Sequence, residues 1–317
     1  MADVSVIIPL HNKGKYIERA LDSVFRQTCE DFEVVVVDDG SSDNGPDIVR
    51  RYSDPRLRLV QQENAGPGAA RNRGIRETTG RYVAFLDADD EWLPDFLKVT
   101  LGHLNENADC VLCTVGFLDG RTGKPSSYNR KISYGRWELP LQIEPGDMKA
   151  ELDLIHSACT VLCHRATLLE FGGFYENRCT YGEDGYLWLQ VILNYPIFRD
   201  PSPLAVYHVE ASTLGIFGRK GICPSRPILT DPEPVRRACP PGYSGLLESY
   251  LAYWALKTCH AHLSVGNIVE GYDFARRFPM MKKWPWEYAK LKLRLLLPTL
   301  TPRGQILKKC SPCKEKR

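Results

Sequence analysis

The sequence predicts an α/β protein with a mostly parallel sheet flanked by helices. Short apolar runs alternate with amphipathic segments through residues 1–115, and two of the apolar runs end in clusters of aspartates. Such alternation is typical of strand, helix, strand units, in which helices cover both faces of a parallel sheet. With 317 residues, of which 43% are hydrophobic and 25% charged, the chain is long enough for one large domain or two smaller ones.

Each element is predicted from its own pattern. Runs such as residues 32–37 are continuously apolar after their first positions, as strands buried on both faces are. The first helix has apolar residues along one face. The second follows the capping residues Ser41 and Asp43, and the third has Pro67 near its first turn. Strands are predicted at 4–8, 32–37, 57–60, 82–86, 110–115, 160–163 and 204–209, and helices at 15–27, 41–52, 67–78, 94–105 and 184–193.

Three parts of the chain depart from this alternation. Residues 119–145 are rich in Gly, Pro, Tyr and Arg, which predicts an irregular insertion or a pair of edge strands. Residues 213–242 are rich in proline and glycine, which predicts a mobile loop or linker. Residues 243–317 have helical periodicity over most of their length. We therefore expect a first domain over residues 1–212, followed by the linker and a C-terminal helical extension.

Aspartates stand at the ends of two predicted strands. Asp39 closes one run, and Asp87, Ala88 and Asp89 follow another. The carboxyl ends of parallel strands are where open α/β sheets bind ligands. Asp87 and Asp89 offer two hard oxygen ligands to one Mg²⁺ or Mn²⁺ that also binds the phosphates of a substrate. The sequence therefore predicts a nucleotide and a metal in one crevice.

Two loops between strand and helix suit a nucleotide. The loop that begins at Pro9 follows the first strand and can wrap around a base. The glycine-rich segment 64–75 leads into a helix, and a helix N-terminus beside glycines suits a diphosphate. Arg71 adds a permanent positive charge there. Taken alone the segment is a weak signal, because glycine-rich turns are common.

The order of the motifs identifies a family. They are Val6-Ile7-Ile8-Pro9-x-x-Asn12, Gln27-Thr28, Asp38-Asp39-Gly40-Ser41-Ser42-Asp43, Asn64-x-Gly66-x-x-x-Ala70-Arg71-Asn72-x-Gly74-Ile75, Asp87-Ala88-Asp89-Asp90, Gly172-Gly173-Phe174 and Gly182-Glu183-Asp184-x-x-Leu187-Trp188. Over residues 3–212 the chain resembles the family-2 inverting glycosyltransferases. The resemblance implies the GT-A fold, a Rossmann-like mostly parallel sheet, and a first domain that binds a nucleotide sugar and carries catalysis.

The resemblance also implies roles for the matching residues. Asp39 would receive the pyrimidine ring of the donor. Asp87 would meet the ribose and the metal, and Asp89 would be the main ligand of Mn²⁺ or Mg²⁺. Asp184 would be the general base, with Glu183 beside it as the alternative. The nucleotide-sugar-binding residues that the resemblance implies are Pro9, His11, Asn12, Asp39, Gly66, Arg71, Asp87 and Ala88.

Two positions depart from the family pattern. His11 stands where the family usually has tyrosine, so an aromatic ring is kept but it is one that can titrate. Glu210 stands where many members have a histidine that serves as a third metal ligand. Either Glu210 or the nearby His208 is a candidate third ligand, and a role for His208 without metal is equally open.

Each acidic motif has a simpler interpretation. Asp39 and Gly40 also fit an ordinary turn between a strand and a helix. Glu183 and Asp184 also fit the first-turn acids that the helix macrodipole favours. The order of the motifs, rather than any one of them, favours the functional interpretation.

We expect a metal-dependent, non-processive, inverting transfer from a UDP-sugar to a hydroxyl of a surface polysaccharide or a lipid-linked glycan. A base must deprotonate the attacking hydroxyl, and a metal can stabilise the departing diphosphate. The Gln-x-x-Arg-Trp step of processive members is not found. One alternative is transfer to a polyprenyl phosphate. Another, from a different class, is a sugar-nucleotide pyrophosphorylase, but the loop after the first strand lacks the glycine-rich basic segment that such an enzyme needs.

Charge and the chain ends bear on partners and location. A net charge of +2 gives no reason to expect nucleic acid. The first residues do not show a basic segment followed by an apolar one, so we expect no signal peptide and a cytoplasmic location. Residues 284–297 combine aromatic, leucine and basic side chains. They predict either a helix on the inner face of the cell membrane or a helix packed on the protein with a basic outer face.

Overall fold

A nine-stranded sheet forms the centre of the molecule. The computed structural model describes residues 2–125, 133–153, 155, 157–177, 182–211, 226–264, 273 and 276–296. The strands are β1 (Val4–Leu10), β2 (Phe32–Asp39), β3 (Leu57–Gln62), β4 (Tyr82–Phe85), β5 (Glu91–Trp92), β6 (Leu112–Asp119), β7 (Gly135–Trp137), β8 (Val161–His164) and β9 (Ile197–Tyr207). Their order across the sheet is β3-β2-β1-β4-β8-β6-β9-β5, and β7 also pairs with β9.

Helices lie along the sheet and continue beyond it. They are α1 (Ile17–Phe25), α2 (Gly45–Arg50), α3 (Pro67–Glu77), α4 (Phe96–Glu106), α5 (Pro145–Leu152), α6 (Arg165–Glu170), α7 (Glu183–Asn194), α8 (Pro227–Thr230), α9 (Glu233–Ala238), α10 (Ser244–Ser264) and α11 (Pro285–Leu296). Short 3₁₀ turns lie at Ala158–Thr160, Pro241–Tyr243 and Pro279–Lys283.

The sheet is parallel at one side and mixed at the other. β1 lies between β2 and β4 and runs parallel to both, and β2 runs parallel to β3. β8 runs antiparallel to its neighbours β4 and β6, whereas β6 and β9 are parallel. β5 and β7 are antiparallel to β9. This arrangement confirms the predicted α/β class with a mostly parallel sheet.

The side chains of β1 pack into two different apolar clusters, one on each face of the sheet. Val6 and Ile8 pack in a cluster that includes Leu21 of α1 and Leu97 of α4. Ile7 points to the opposite face, because neighbouring side chains on a strand alternate, and joins a cluster containing residues of α3, α7 and α10. Helices therefore cover both faces, which explains the continuous apolar runs of β1 and β2.

The end of the sheet domain differs from the sequence prediction. β9 begins at Ile197 rather than at 204, because the strand continues through Pro201 and Pro203. The β6–β9 pairing shifts register next to Gly116, at the level of these prolines. Proline cannot donate to a sheet ladder and is tolerated at such irregularities. Prolines that normally argue against a strand were therefore misleading at this position.

The prediction of a loop over 213–242 is wrong for the part that the structure describes. Residues 213–225 lie outside the described ranges, but 226–242 contain α8, α9 and a 3₁₀ turn. Prolines occupy the first turns of these short helices, where a missing N–H costs nothing. Leu229 and Val235 are fully buried, so these helices pack on the protein. The predicted edge strands of 119–145 correspond in part to β7.

The C-terminal helices pack on the same side of the sheet as α7. Leu247 and Leu251 of α10 belong to the same apolar cluster as Trp188 of α7. The helical part of the predicted extension therefore shares its core with residues 1–212, and the domain boundaries at 212 and 242 stay a prediction. None of the helices within the described ranges is both long enough and apolar enough to cross a lipid bilayer.

Candidate functional site

The carboxyl ends of the central parallel strands bring the predicted site residues together. In the ladder, Leu10 of β1 lies opposite Asp38 of β2, and Ile7 lies opposite Phe85 of β4. The loops that follow these three strands therefore leave the sheet at the same edge. They carry the first-loop residues, the Asp39 turn and the Asp87–Asp89 step.

The carboxylate of Asp39 holds the loop that begins α3. Its Oδ1 accepts hydrogen bonds from Gln62 Nε2 and Ala65 N, both at 2.8 Å, and its Oδ2 accepts one from Gly66 N at 2.9 Å. The residue is only 3% exposed. Because a carboxylate oxygen can accept two hydrogen bonds, Oδ2 keeps capacity for one more donor. Asp39 thus anchors the loop that leads into α3 and keeps one acceptor position on Oδ2.

His11 and Asn12 are fixed in an exposed loop beside Asp39. The Nδ1 atom of His11 is 2.8 Å from the carbonyl oxygen of Asp39, and its Nε2 is 3.1 Å from Asn12 Nδ2 and 3.2 Å from Asn64 Nδ2. With a proton on Nδ1, the ring donates to the carbonyl oxygen of Asp39, and the lone pair on Nε2 accepts from Asn12 or Asn64. Asn12 has a left-handed φ of 53°, and its Oδ1 accepts from Ser42 N at 2.8 Å. The ring is exposed and held at its edge, as stacking on a base requires.

Pro9, Gly66 and Ala88 were also predicted to bind the nucleotide sugar, and they lie in or next to the strands and the helix that form the site. Pro9 is half-buried within β1. Gly66 precedes the first residue of α3 with φ of 95°, a conformation that favours glycine. Ala88 is 2% exposed, and its side chain packs in the core under the site. Ala88 therefore sets the spacing of the two aspartates that flank it.

Arg71 is a buried connector. Its guanidinium donates to Asp87 Oδ1 across 2.7 Å and to Glu183 Oε1 across 3.0 Å, and it lies 5.2 Å from the centre of the Phe174 ring. Burial opposes ionisation, but the negative charges of Asp87 and Glu183 raise the pKa of Arg71. The arginine that the family resemblance directs at the donor therefore ties α3 to the end of β4 and to α7.

Asp184 lies in the first turn of α7, next to the residue that Arg71 binds. Gly182 precedes the helix with a φ of 83°. Asp184 Oδ1 accepts a hydrogen bond from Gly185 N at 2.7 Å. Burial, and next the charge of Glu183, raise the pKa of Asp184 to about 6, while the charge of Arg71 opposes this rise. A carboxylate of this basicity can accept a proton near neutral pH.

Asp89 is paired with a lysine. Its Oδ2 accepts a hydrogen bond from Lys13 Nζ at 2.6 Å, and the same ammonium donates to the carbonyl oxygen of Ala211 at 2.5 Å. Arg19 donates to the carbonyl oxygen of Asp89. Burial and the charge of Asp87 raise the pKa of Asp89, and the hydrogen bond from Lys13 opposes them. The carboxylate is therefore placed to hold a positive charge.

His208 and Glu210, the predicted third metal ligands, form a separate group. His208 Nε2 is 3.0 Å from Glu91 Oε1, and Nδ1 is 3.1 Å from Glu210 Oε1. The backbone N–H of His208 donates to Asp90 Oδ1 across 2.9 Å. Both ring nitrogens thus face carboxylates. In the part of the chain that the structure describes, no three His, Cys, Asp or Glu side chains are grouped so that they could hold a metal ion.

The residues present nevertheless fit a divalent cation that a substrate also binds. Asp87 and Asp89 supply two carboxylates, which suit the hard cations Mg²⁺ and Mn²⁺. Mg²⁺ is commonly bound by one or two carboxylates plus substrate phosphates, so two protein ligands suffice. The ammonium of Lys13 on Asp89 marks one of these carboxylates as a position for positive charge.

Several residues of the site were missed by the sequence analysis. Two of them could have been found from their positions in the predicted elements. Gln62 lies opposite Asp39 in the β2–β3 ladder, and Lys13 directly follows the predicted site residues His11 and Asn12. The missed residues are Lys13, Arg19 and Gln62, whereas Asn64 and Phe174 stood in the quoted motifs without a predicted role.

Sequence comparison places the chain in a known family. Residues 5–171 match the family model for glycosyl transferase family 2. A glycosyltransferase of Rickettsia felis is 41% identical over 227 residues, which are 69% of this chain and 36% of that protein. The Escherichia coli protein YibD is 40% identical over 124 residues, 38% of this chain and 36% of its own. The alignments thus span about a third of the length of the curated relatives.

Structural comparison gives the fold. Staphylococcus aureus TarS in complex with UDP-GlcNAc matches with a TM-score of 0.67 at 21% identity, over 93% of this chain and 89% of that one. The mannosyltransferase PcManGT of Pyrobaculum calidifontis, in complex with GDP-Man and Mn²⁺, matches with a TM-score of 0.53 at 20% identity, over 94% of this chain and 87% of its own. The similarity to TarS confirms the predicted GT-A type of fold.

Proposed function

Because the chain belongs to glycosyl transferase family 2, we propose that it transfers a sugar from a nucleotide-diphosphate sugar to a hydroxyl group, with inversion at the anomeric carbon. The observation that carries this proposal is the position of Asp184. Its carboxyl group, with a pKa raised to about 6, stands next to Glu183, which Arg71 ties to Asp87. A candidate base is thereby held beside the predicted donor crevice.

The crevice suits a pyrimidine nucleotide. Asp39 keeps one acceptor position for a base N–H, and His11 offers an exposed ring for stacking on the base. The N-terminus of α3, which begins at Pro67, is the positive end of the helix dipole and suits the diphosphate. A UDP-sugar is the donor we propose, and the TarS complex with UDP-GlcNAc supports this choice for a related fold.

Asp89 and Asp87 would hold Mn²⁺ or Mg²⁺ with the diphosphate. When bound, such an ion supplies a Lewis acid that stabilises the negative charge on the departing diphosphate. The Mn²⁺ in the PcManGT complex supports a divalent metal. His208 and Glu210 are engaged with each other and with Glu91, so we propose that they position the loop after β9 rather than act as ligands.

In the transfer step Asp184 accepts the proton of the acceptor hydroxyl as the oxygen attacks the anomeric carbon. A base positioned for such a transfer contributes about a hundredfold or more to the rate. Arg71 binds Glu183 and holds it in place, and we propose that the neighbouring Asp184 is the group that takes the proton. Attack opposite the diphosphate converts an α-linked donor into a β-linked product.

The choice of acceptor depends on the family resemblance and not on particular residues. We propose a non-processive transfer to a surface polysaccharide or a lipid-linked glycan by a domain formed of residues 1–212. A polyprenyl phosphate acceptor is the alternative, and because it is already ionised it would need Asp184 less. A sugar-nucleotide pyrophosphorylase is not favoured, because the family match points to glycosyl transfer.

Contact with the inner face of the cell membrane is proposed for α11. Lys290, Lys292 and Leu293 are exposed, whereas Leu291 is buried against the protein. A helix that packs by one face and presents lysines with a leucine on the other suits an anionic lipid surface. This would bring a cytoplasmic enzyme to a lipid-linked acceptor.

The proposal is tested by donor hydrolysis and transfer. The protein is incubated with UDP-, GDP- and TDP-sugars and Mn²⁺, and release of each nucleotide is measured. We expect release from a UDP-sugar that depends on Asp184 when a hydroxyl acceptor is added. Release that Asp184→Asn leaves unchanged with a polyprenyl phosphate acceptor would favour that alternative, and no release from any donor would refute the proposed activity.

A further inference from the structure

Lys13 bridges two parts of the chain that are far apart in sequence. It lies in the loop between β1 and α1, and its Nζ is 2.6 Å from Asp89 Oδ2 and 2.5 Å from the carbonyl oxygen of Ala211. The side chains of Lys13 and Asp89 are only 14% and 13% exposed. The ammonium therefore has two protein oxygens as ligands in a place that is largely shielded from water.

We propose that Lys13 is an internal counter-ion, which occupies the cation position on Asp89 in the metal-free protein and leaves it when a divalent metal binds. The inference rests on the proposed function, in which Asp89 is the main metal ligand. Lys13 would thereby control the affinity of the site for metal.

The two cations compete because they need the same carboxylate. A metal on Asp89 would lie within a few ångströms of an ammonium on the other oxygen, well inside the roughly 10 Å over which salt screens charges. Partial burial weakens the screening further. Displacement of the ammonium removes this repulsion and frees both oxygens of Asp89 for the metal and its waters.

Lys13 can leave Asp89 more readily than Arg71 can leave its two carboxylates. Arg71 is bound to two carboxylates, those of Asp87 and Glu183, and its side chain is 7% exposed. Among the described residues, Lys13 has Asp89 as its acidic partner and one carbonyl besides. A lysine ammonium on its flexible stem reorients more readily than a guanidinium fork. Departure of Lys13 also breaks its bond to Ala211, so metal occupancy is coupled to the segment after β9.

The first test measures binding of Mn²⁺ alone. Free Mn²⁺ is quantified by electron paramagnetic resonance in titrations of the wild type, Lys13→Met and Lys15→Met. Lys15 is an exposed lysine two positions further on and controls for the loss of one positive charge. We expect Lys13→Met to bind Mn²⁺ about fivefold more tightly or better, the range of ordinary site coupling. Lys15→Met should match the wild type, and circular dichroism verifies the fold of both variants.

The second test follows the amine itself. Lysines of the wild type are reductively dimethylated with and without Mn²⁺, and the extent at each position is measured by mass spectrometry. We expect the labelling of Lys13 to increase with Mn²⁺ while that of Lys15 stays constant. Labelling of Lys13 that Mn²⁺ leaves unchanged means that the ammonium stays on Asp89, and this overturns the inference.

Failure of the inference and failure of the metal proposal give different results. Titrations are repeated with saturating UDP. If the wild type binds Mn²⁺ with UDP, but Lys13→Met binds it no more tightly with or without UDP, only the role of Lys13 is refuted. If neither protein binds Mn²⁺ even with UDP, the metal site is refuted and the role of Lys13 with it.

Discussion

Arg71 donates a hydrogen bond to Glu183 across 3.0 Å, and the two residues are 112 positions apart in the chain. This contact ties the start of α7 to α3. Since the same guanidinium binds Asp87, the end of β4 is tied to them as well. Arg71 thereby links the segment of the candidate base to the segment of the candidate metal ligands.

Removal of Arg71 should both destabilise the protein and shift its pH profile. Arg71→Met leaves Asp87 and Glu183 without their buried cation, which should lower the free energy of unfolding by about 3–5 kcal/mol. The charge of Arg71 opposes the rise in the pKa of Asp184, so its loss should move the acid limb of kcat to higher pH. Urea unfolding and a pH–rate profile measure the two effects.

A matched control is Arg73→Met, two positions further along α3. Arg73 pairs with Glu77 and its side chain is 43% exposed, so its loss should cost less than about 1 kcal/mol. If both variants unfold alike and keep the wild-type pH profile, Arg71 does not hold the site together.

Asp184→Asn should lower kcat by about a hundredfold or more with little change in donor binding. The amide has nearly the same shape but cannot accept the proton of the hydroxyl. In the wild type, activity should fall as the pH drops through about 6, because the carboxyl group is then protonated. Steady-state kinetics over pH 5 to about 8 measures both effects.

Asp147→Asn is the control for Asp184, since Asp147 is an exposed acid in the first turn of α5. Its loss should leave kcat unchanged. A near wild-type rate for Asp184→Asn with a hydroxyl acceptor would reduce Asp184 to a first-turn helix acid and would direct attention to Glu183.

Removal of metal should stop turnover reversibly. EDTA should abolish sugar transfer by the wild type, and excess Mn²⁺ should restore it, because the diphosphate otherwise departs without a Lewis acid. Asp89→Ala should remain inactive after Mn²⁺ is added back. Undiminished transfer in EDTA, by the wild type or by this variant, would disprove metal dependence.

Asp39→Ala should weaken binding of UDP about tenfold or more, as measured by calorimetry. The substitution removes the acceptor for the nucleobase and three hydrogen bonds, from the side chain of Gln62 and from the backbone of Ala65 and Gly66. The control is Asp47→Ala, whose side chain is 68% exposed. Equal affinity of the two variants for UDP would mean that the uracil ring does not bind at Asp39.

Gly74→Ala should destabilise the fold by about 1–3 kcal/mol. A Cβ at Gly74 would lie 2.3 Å from Ile7 Cγ2, because α3 approaches β1 closely at this point. Gly102→Ala in α4 is the matched control, since its Cβ would meet nothing within 4 Å. It should stabilise by roughly 0.5–1 kcal/mol through helix propensity. Thermal unfolding that ranks the variants in the reverse order would contradict the packing.

Local sequence patterns were sufficient to predict most strands of the sheet. The apolar runs of β1, β2 and β4 predicted buried strands, because strands covered on both faces leave no room for polar residues. They were insufficient for β9, in which prolines are tolerated at a register shift against β6. They also missed α8 and α9, which are too short to show periodicity and gain stability from packing.

Local sequence is enough to identify the carboxylates at strand ends, since the apolar runs before Asp39 and Asp87 and the spacing to Asp89 are local. The partners of these carboxylates depend on tertiary contacts. Lys13 and Asp89 are 76 positions apart, and Arg71 and Glu183 are 112 apart. Such pairs have no local signature, because they depend on the order of strands in the sheet and on the placement of α7. The pKa of Asp184 depends on the same packing.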